Sequence, residues 1–125
     1  MVLGVGFDIV EVERIARSLD RTGERFERRV FTDAERSDCA GRVDRVQALA
    51  ARFAAKEACL KALGTGWAEG LAFRQVEVVR APNGRPSILL HAAARQRAER
   101  LGIRTVHVSL THQPGVAGAL VMLEG

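Results

Sequence analysis

No apolar run in the sequence approaches the roughly 18 residues a bilayer span requires, so a transmembrane helix is excluded. Cysteine is scarce. Cys39 and Cys59 are widely spaced, which argues against a disulfide framework or a zinc cluster. There is no internal repeat, low-complexity tract or evident linker, so neither a solenoid nor a disordered segment is expected. Five Phe and one Trp leave little ring surface for stacking on nucleic-acid bases. The opening Met1-Val2-Leu3-Gly4-Val5-Gly6 lacks both a basic region and a cleavage pattern. It reads as a buried strand rather than a signal peptide, and a cytoplasmic protein is expected. Lysine is the most telling shortage. Of 19 Lys and Arg residues only Lys56 and Lys61 are lysine, and both fall between Phe53 and Lys61. Lysine is a compact point charge and arginine a rigid fork, so this segment is read as needing point charges.

What is present fits one soluble domain over residues 1–125. Hydrophobic residues make up 47% and charged residues 27% of the chain, ordinary values for a globular protein. The net charge of +4 favours an anionic partner, whether nucleotide, nucleic acid or acidic protein. An arginine-biased composition gives the same charge without any partner.

Periodicity gives the order of elements. Residues 2–10 read as a strand broken by Asp8, and Glu11 to Thr22 as a helix stopped by Gly23. Thr32-Asp33-Ala34-Glu35 has capping-box spacing and starts a short helix. Asp44 to Leu63, free of Pro and Gly, predicts a long helix ended by Gly64, followed by a glycine-rich loop over 64–72. Residues 74–80 and 88–90 flank the turn Pro82-Asn83-Gly84-Arg85 as a hairpin. A helix over 92–101 stops at Gly102, and strands over 104–111 and 116–123 surround Gln113-Pro114-Gly115. The fold class is α+β: a mainly antiparallel sheet with helices packed on one face.

Several residues carry chemistry or a plainer alternative. Asp8 in an apolar strand is either a metal ligand or a residue that caps a neighbouring turn or lies at the strand's exposed end. Glu57 and Lys61 form either an ordinary i,i+4 pair or a charged site, and Phe53 on the same helical face points toward packed protein. Gly64-Thr65-Gly66 is a helix cap or a place where backbone N–H groups approach a phosphate. His112 ends a strand, on the same face as Val108 and Leu110, as a structural histidine or a ligand-facing one. Arg14, Arg17, Arg21, Arg25 and Arg28 form a basic stripe if the helix runs on past Gly23, and otherwise a solvated series.

Together these residues resemble a family, the holo-acyl-carrier-protein synthases, the small class of 4'-phosphopantetheinyl transferases. The likeness covers essentially the whole chain. It runs through Gly4-Val5-Gly6-Phe7-Asp8-Ile9-Val10-Glu11-Val12 and Arg29-Val30-Phe31-Thr32. It continues through Ala51-Arg52-Phe53-Ala54-Ala55-Lys56-Glu57-Ala58, Lys61-Ala62-Leu63-Gly64-Thr65-Gly66, Asn83-Gly84-Arg85-Pro86 and His107-Val108-Ser109-Leu110-Thr111-His112. The resemblance implies transfer of 4'-phosphopantetheine from coenzyme A to a serine of an acyl carrier protein, releasing 3',5'-ADP, with Asp8, Glu57 and Lys61 as the catalytic group. It implies Mg²⁺ on Asp8 and Glu57, and coenzyme contacts from Arg52, Lys61, Gly64, Thr65, Pro86 and His112. It also implies a homotrimer with sites between subunits, and a basic first helix, with Arg14, Arg17 and Arg21, that receives the carrier. Neither nucleic acid nor membrane is an expected partner. Two departures are small: Thr111 stands where the family has Ser, and Val10 where larger relatives carry a second acidic residue. A metal-dependent nuclease and a non-catalytic basic adaptor are the competing readings.

Overall fold

The first strand, β1 (Val2–Glu11), explains much of the architecture by its alternation. Gly6, Asp8 and Val10 face inward, while Val5, Phe7 and Ile9 face out. The computed structural model describes residues 1–64 and 70–125. Helices α1 (Val12–Thr22), α2 (Glu24–Val30), α3 (Asp33–Cys39) and α4 (Arg45–Leu63) follow β1. A 3-10 turn at Phe73–Gln75 leads into β2 (Val76–Arg80) and β3 (Pro86–Leu90). Helix α5 (Ala92–Arg100) and strands β4 (Thr105–His112) and β5 (Val116–Glu124) complete the order.

Helix α4 is the centre of the molecule. Every residue from Ala48 to Leu60 except Glu57 is buried. The helix packs on β1, β5, β4, β2, α1 and α3, and a helix enclosed on so many sides is expected to be apolar all round. Its alanines let β1 come very close. A Cβ placed on Gly6 would lie 1.7 Å from the Ala58 carbonyl oxygen, and one on Gly4 would lie 2.6 Å from that of Ala62. Only glycine permits this approach. The inward side chain of Asp8 is thereby brought onto the last turns of α4.

The α+β class and the helices on one sheet face stand as read. The capping box at α3 is present in both directions, and Gly64 closes α4 in the left-handed conformation with φ 83°. Two features differ from expectation. The strands form two sheets, a three-stranded one ordered β1-β5-β4 and a separate β2-β3 hairpin, all antiparallel. Among the described residues strands β3 and β4 run near each other without a ladder, and Ile88, Leu90, Ile103 and Val106 line a cavity of about 410 Å³ there. Helix α2 is the second difference, since periodicity assigned nothing to residues 24–30. Gly23 (φ 56°) turns the chain between α1 and α2, so Arg25 and Arg28 do not continue the α1 arginines as one stripe.

Candidate active site

Asp8 sits at the inner face of β1 with its side chain only 11% exposed. Lys61, near the end of α4, donates to Asp8 Oδ1 at 2.9 Å and to the Phe7 carbonyl at 3.2 Å. The hydrogen bond to Asp8 raises the Lys61 pKa and keeps the ammonium charged. Glu57 lies one turn earlier on α4 and is half-buried. Burial raises its pKa, and so do the charge and hydrogen bonding of the neighbouring Asp8 carboxyl, while Arg14 and Lys61 act in the opposite sense. Two carboxyls placed this close favour a shared proton or a cation between them. A hard divalent cation, which prefers oxygen ligands and needs only one or two carboxylates, fits this pair. Arg14 lies over the Phe53 ring, 5.6 Å from its centroid, one turn before Glu57. Arg17 and Arg21 are exposed on α1, and Arg17 makes a 3.5 Å surface pair with Glu13.

A second group of residues lines a cavity of about 330 Å³ elsewhere on the chain. Arg52, Pro86 and His112 meet there, with Arg42, Arg80 and Thr111. Arg52 is almost fully buried. Its Nη1 donates to the Ala48 carbonyl at 3.3 Å, but its Nε has no hydrogen-bond partner among the described residues. A buried guanidinium N–H left unmatched is costly, and an anion entering this cavity would match it. His112 Nδ1 shares a hydrogen bond with Gln47 Oε1 at 3.0 Å, and its other ring nitrogen lies 3.7 Å from Asp44. Asp44 is held by both arms of Arg42, at 2.8 and 2.9 Å.

The predicted residues therefore fall into two groups within one chain. Asp8, Glu57, Lys61 and the cap Gly64 gather around the end of α4. Arg52, Pro86 and His112 line the cavity. Arg52 and Glu57 are five positions apart, which turns them about 140° from each other around the helix axis. Thr65 lies outside the described residues. Arg42 and Arg80 were not among the sequence candidates, because nothing local separates them from the other arginines.

The model of the 4'-phosphopantetheinyl transferase superfamily matches residues 4–115. The chain belongs to this superfamily. The transferase class and the resemblance read from the motifs both stand. A holo-[acyl-carrier-protein] synthase from Koribacter versatilis is 48% identical over 99% of this chain and 99% of that protein. The crystal structure of holo-[acyl-carrier-protein] synthase from Neisseria meningitidis matches with TM-score 0.91 and 34% identity, over all of both chains. The Helicobacter pylori synthase in complex with coenzyme A matches with TM-score 0.85 and 29% identity, over 96% of this chain and 99% of that one. As in any phosphopantetheinyl transferase, the chemistry must be argued from the site, since a fold alone does not fix it.

Proposed function

We propose that this protein is a holo-[acyl-carrier-protein] synthase, moving 4'-phosphopantetheine from coenzyme A to a serine of an apo-acyl carrier protein and releasing 3',5'-ADP. The observation that carries the reading is the convergence of Asp8, Glu57 and Lys61 on one end of α4, within a chain of the transferase superfamily. Asp8 and Glu57 are the residues that would hold Mg²⁺. When bound, that ion supplies charge neutralisation for the pyrophosphate oxygens. The Lys61 ammonium, already oriented by Asp8 and Phe7 O, stabilises negative charge on the departing phosphate. Gly64 approaches the phosphates by backbone, and Thr65 is assigned to the same coenzyme. Arg52 and His112 take the anionic and polar parts of the nucleotide, with Pro86 as apolar wall.

The same reading assigns a homotrimer, residues 1–125 of each copy forming one transferase domain. Two features support it. The outer face of the β1-β5-β4 sheet exposes Leu3, Val5, Phe7, Ile9 and Leu120, an apolar strip suited to another copy. The Arg52–His112 cavity and the Asp8–Glu57–Lys61 group face different ways around α4, so each can serve a site completed by a neighbour. The exposed arginines of α1 suit an acidic carrier, of fatty-acid or polyketide synthesis. We assign a cytoplasmic location without membrane or nucleic-acid partners. Among the described residues no helix is long and apolar enough to cross a membrane. A nuclease would need more converging acidic groups, and among the described residues no three His, Cys, Asp or Glu gather.

The test is mass spectrometry of an apo-acyl carrier protein incubated with the protein, coenzyme A and Mg²⁺, with and without a chelator. The expected result is a mass gain of one phosphopantetheinyl group that disappears on chelation. No gain on any of several carriers, with folded protein, contradicts the reading.

A further inference from the structure

The carbonyl end of a helix is an unfavourable place for an anion. Its last carbonyls lack intrahelical partners and carry a partial negative charge. Lys61 and Gly64 stand at that end of α4, yet both are assigned to coenzyme phosphates. Lys61 is partly committed already, to Asp8 and to the Phe7 carbonyl. A further cation reaches this point from α5. Arg97 Nε donates to the carbonyl of Leu63, the last residue of α4, at 3.3 Å. A Cβ built on Gly64 would meet a terminal nitrogen of Arg97 at 4.0 Å, so the guanidinium lies alongside the helix cap.

The start of α5 is itself anchored. Gln75 Oε1 accepts from Ala94 N at 3.0 Å, the Gln75 carbonyl accepts from His91 N at 2.8 Å, and the Gln75 side-chain amide donates to Gly70 O at 2.9 Å. Helix α5 is thus tied to the chain on both sides of the segment that follows α4: through Arg97 at Leu63, and through Gln75 at Gly70. The position of Arg97 follows from this framework rather than from a free surface rotamer.

We propose that Arg97 is a positioning residue for the coenzyme, offsetting the carbonyl charge at the end of α4 so that Lys61 and Gly64 can receive phosphate. The inference rests on the coenzyme A reading given above. Arg97 lies on a different element from every residue of the motifs and acts through the end of α4.

The experiment measures binding of coenzyme A and of 3',5'-ADP by calorimetry, at low and high salt, for the unaltered protein and for Arg97→Ala, Arg97→Gln and Arg97→Lys. Transfer kinetics are measured on the same samples. Arg97→Ala and Arg97→Gln are expected to weaken coenzyme A binding about tenfold at low salt, and Arg97→Lys to restore most of it. The difference should shrink at high salt, since it comes from charge. The KM for the carrier should stay unchanged. A merely structural role would not give the lysine rescue or the salt dependence. Coenzyme A binding within twofold of the unaltered protein in Arg97→Ala overturns the proposal. So does an Arg97→Gln variant that binds like the unaltered protein, because the side-chain hydrogen bond alone would then suffice. If Arg97→Ala does not fold, the Gln and Lys variants decide. Binding without transfer by the unaltered protein sinks the transferase reading and leaves the Arg97 comparison readable. No coenzyme A binding at all sinks both.

Discussion

Helix α4 carries two lysines five residues apart, and each meets a carboxylate, but the two pairs are opposite in kind. Lys56 and Glu35 are both fully buried, 2.7 Å apart. Lys56 also donates to the carbonyls of Phe73 and Val76, so its three N–H groups have three acceptors. Glu35 in turn accepts from Thr32 N and Val78 N. Burial lowers the Lys56 pKa, and Glu35 opposes that shift. Lys61 and Asp8 form the other pair, and there the lysine side chain is 57% exposed, with a second carboxyl, Glu57, beside it. A saturated ion pair binds α3, α4 and the start of β2 together and has no capacity left for a ligand. An open pair with an extra carboxyl beside it can respond to what arrives. This segment was read as needing point charges, and the surroundings of its two lysines differ. At position 56 the reason is three convergent acceptors that a planar fork cannot serve together.

This contrast is broken most severely at Lys56. Lys56→Met leaves Glu35 buried without its counter-ion, and should cost about 3–5 kcal/mol in a denaturant titration. Lys56→Arg should not rescue it. A loss below 1 kcal/mol would mean that the buried pair is not a brace. Next comes Lys61→Ala. It should lower the rate of transfer about 10²–10³-fold while shifting the melting midpoint by only about a few degrees, because the side chain is largely exposed. A smaller effect follows on the outer sheet face. Phe7→Lys should dissociate the proposed homotrimer, read by sedimentation, losing about 2 kcal/mol for each Phe no longer covered. An unchanged sedimentation coefficient would remove that face from the interface.

The smallest expected effect concerns Glu77. The Thr32 hydroxyl lowers the Glu77 pKa below its ordinary value of 4.5, and His91 adds to the effect, against burial. A depressed carboxyl pKa stabilises the fold above the unfolded value, and the gain is lost as pH falls through the folded one. Glu77→Gln should therefore cost about 1 kcal/mol at neutral pH and progressively less below pH 4.5. Equal loss at every pH would contradict this.

Sequence legibility followed the same division. The elements with local signatures were readable: the Thr32–Glu35 capping box, the Gly64 stop, and the apolar first strand interrupted by Asp8, though its alternation was not. Asp8, Glu57 and Lys61 could be singled out as candidates, since helical spacing and a charge in an apolar strand are local facts. What escaped depends on distance along the chain. Glu35 was visible as a capping residue, but its second role at Val78 N and Lys56 requires β2 to be in place. Arg42 and Arg80 join Arg52 in one cavity only after the hairpin packs beside α4. Helix α2 escaped because Gly23 offers no side-chain cap to announce it. Its stability comes from burying Val30 and from Phe26 meeting Phe31 and Phe53.

The claim that the open carboxylate–lysine group is the transfer site is tested most directly by the Glu57→Gln variant. Its rate of phosphopantetheinylation of an apo-carrier would be followed by mass spectrometry across a range of Mg²⁺ concentrations. The expected result is a loss of about 10²-fold or more that no Mg²⁺ concentration restores. Thermal stability of the variant should be equal or higher, because a neutral amide relieves the crowding of two carboxyls that raises the Glu57 pKa. Transfer at the rate of the unaltered protein would contradict the account and move the chemistry away from the end of α4.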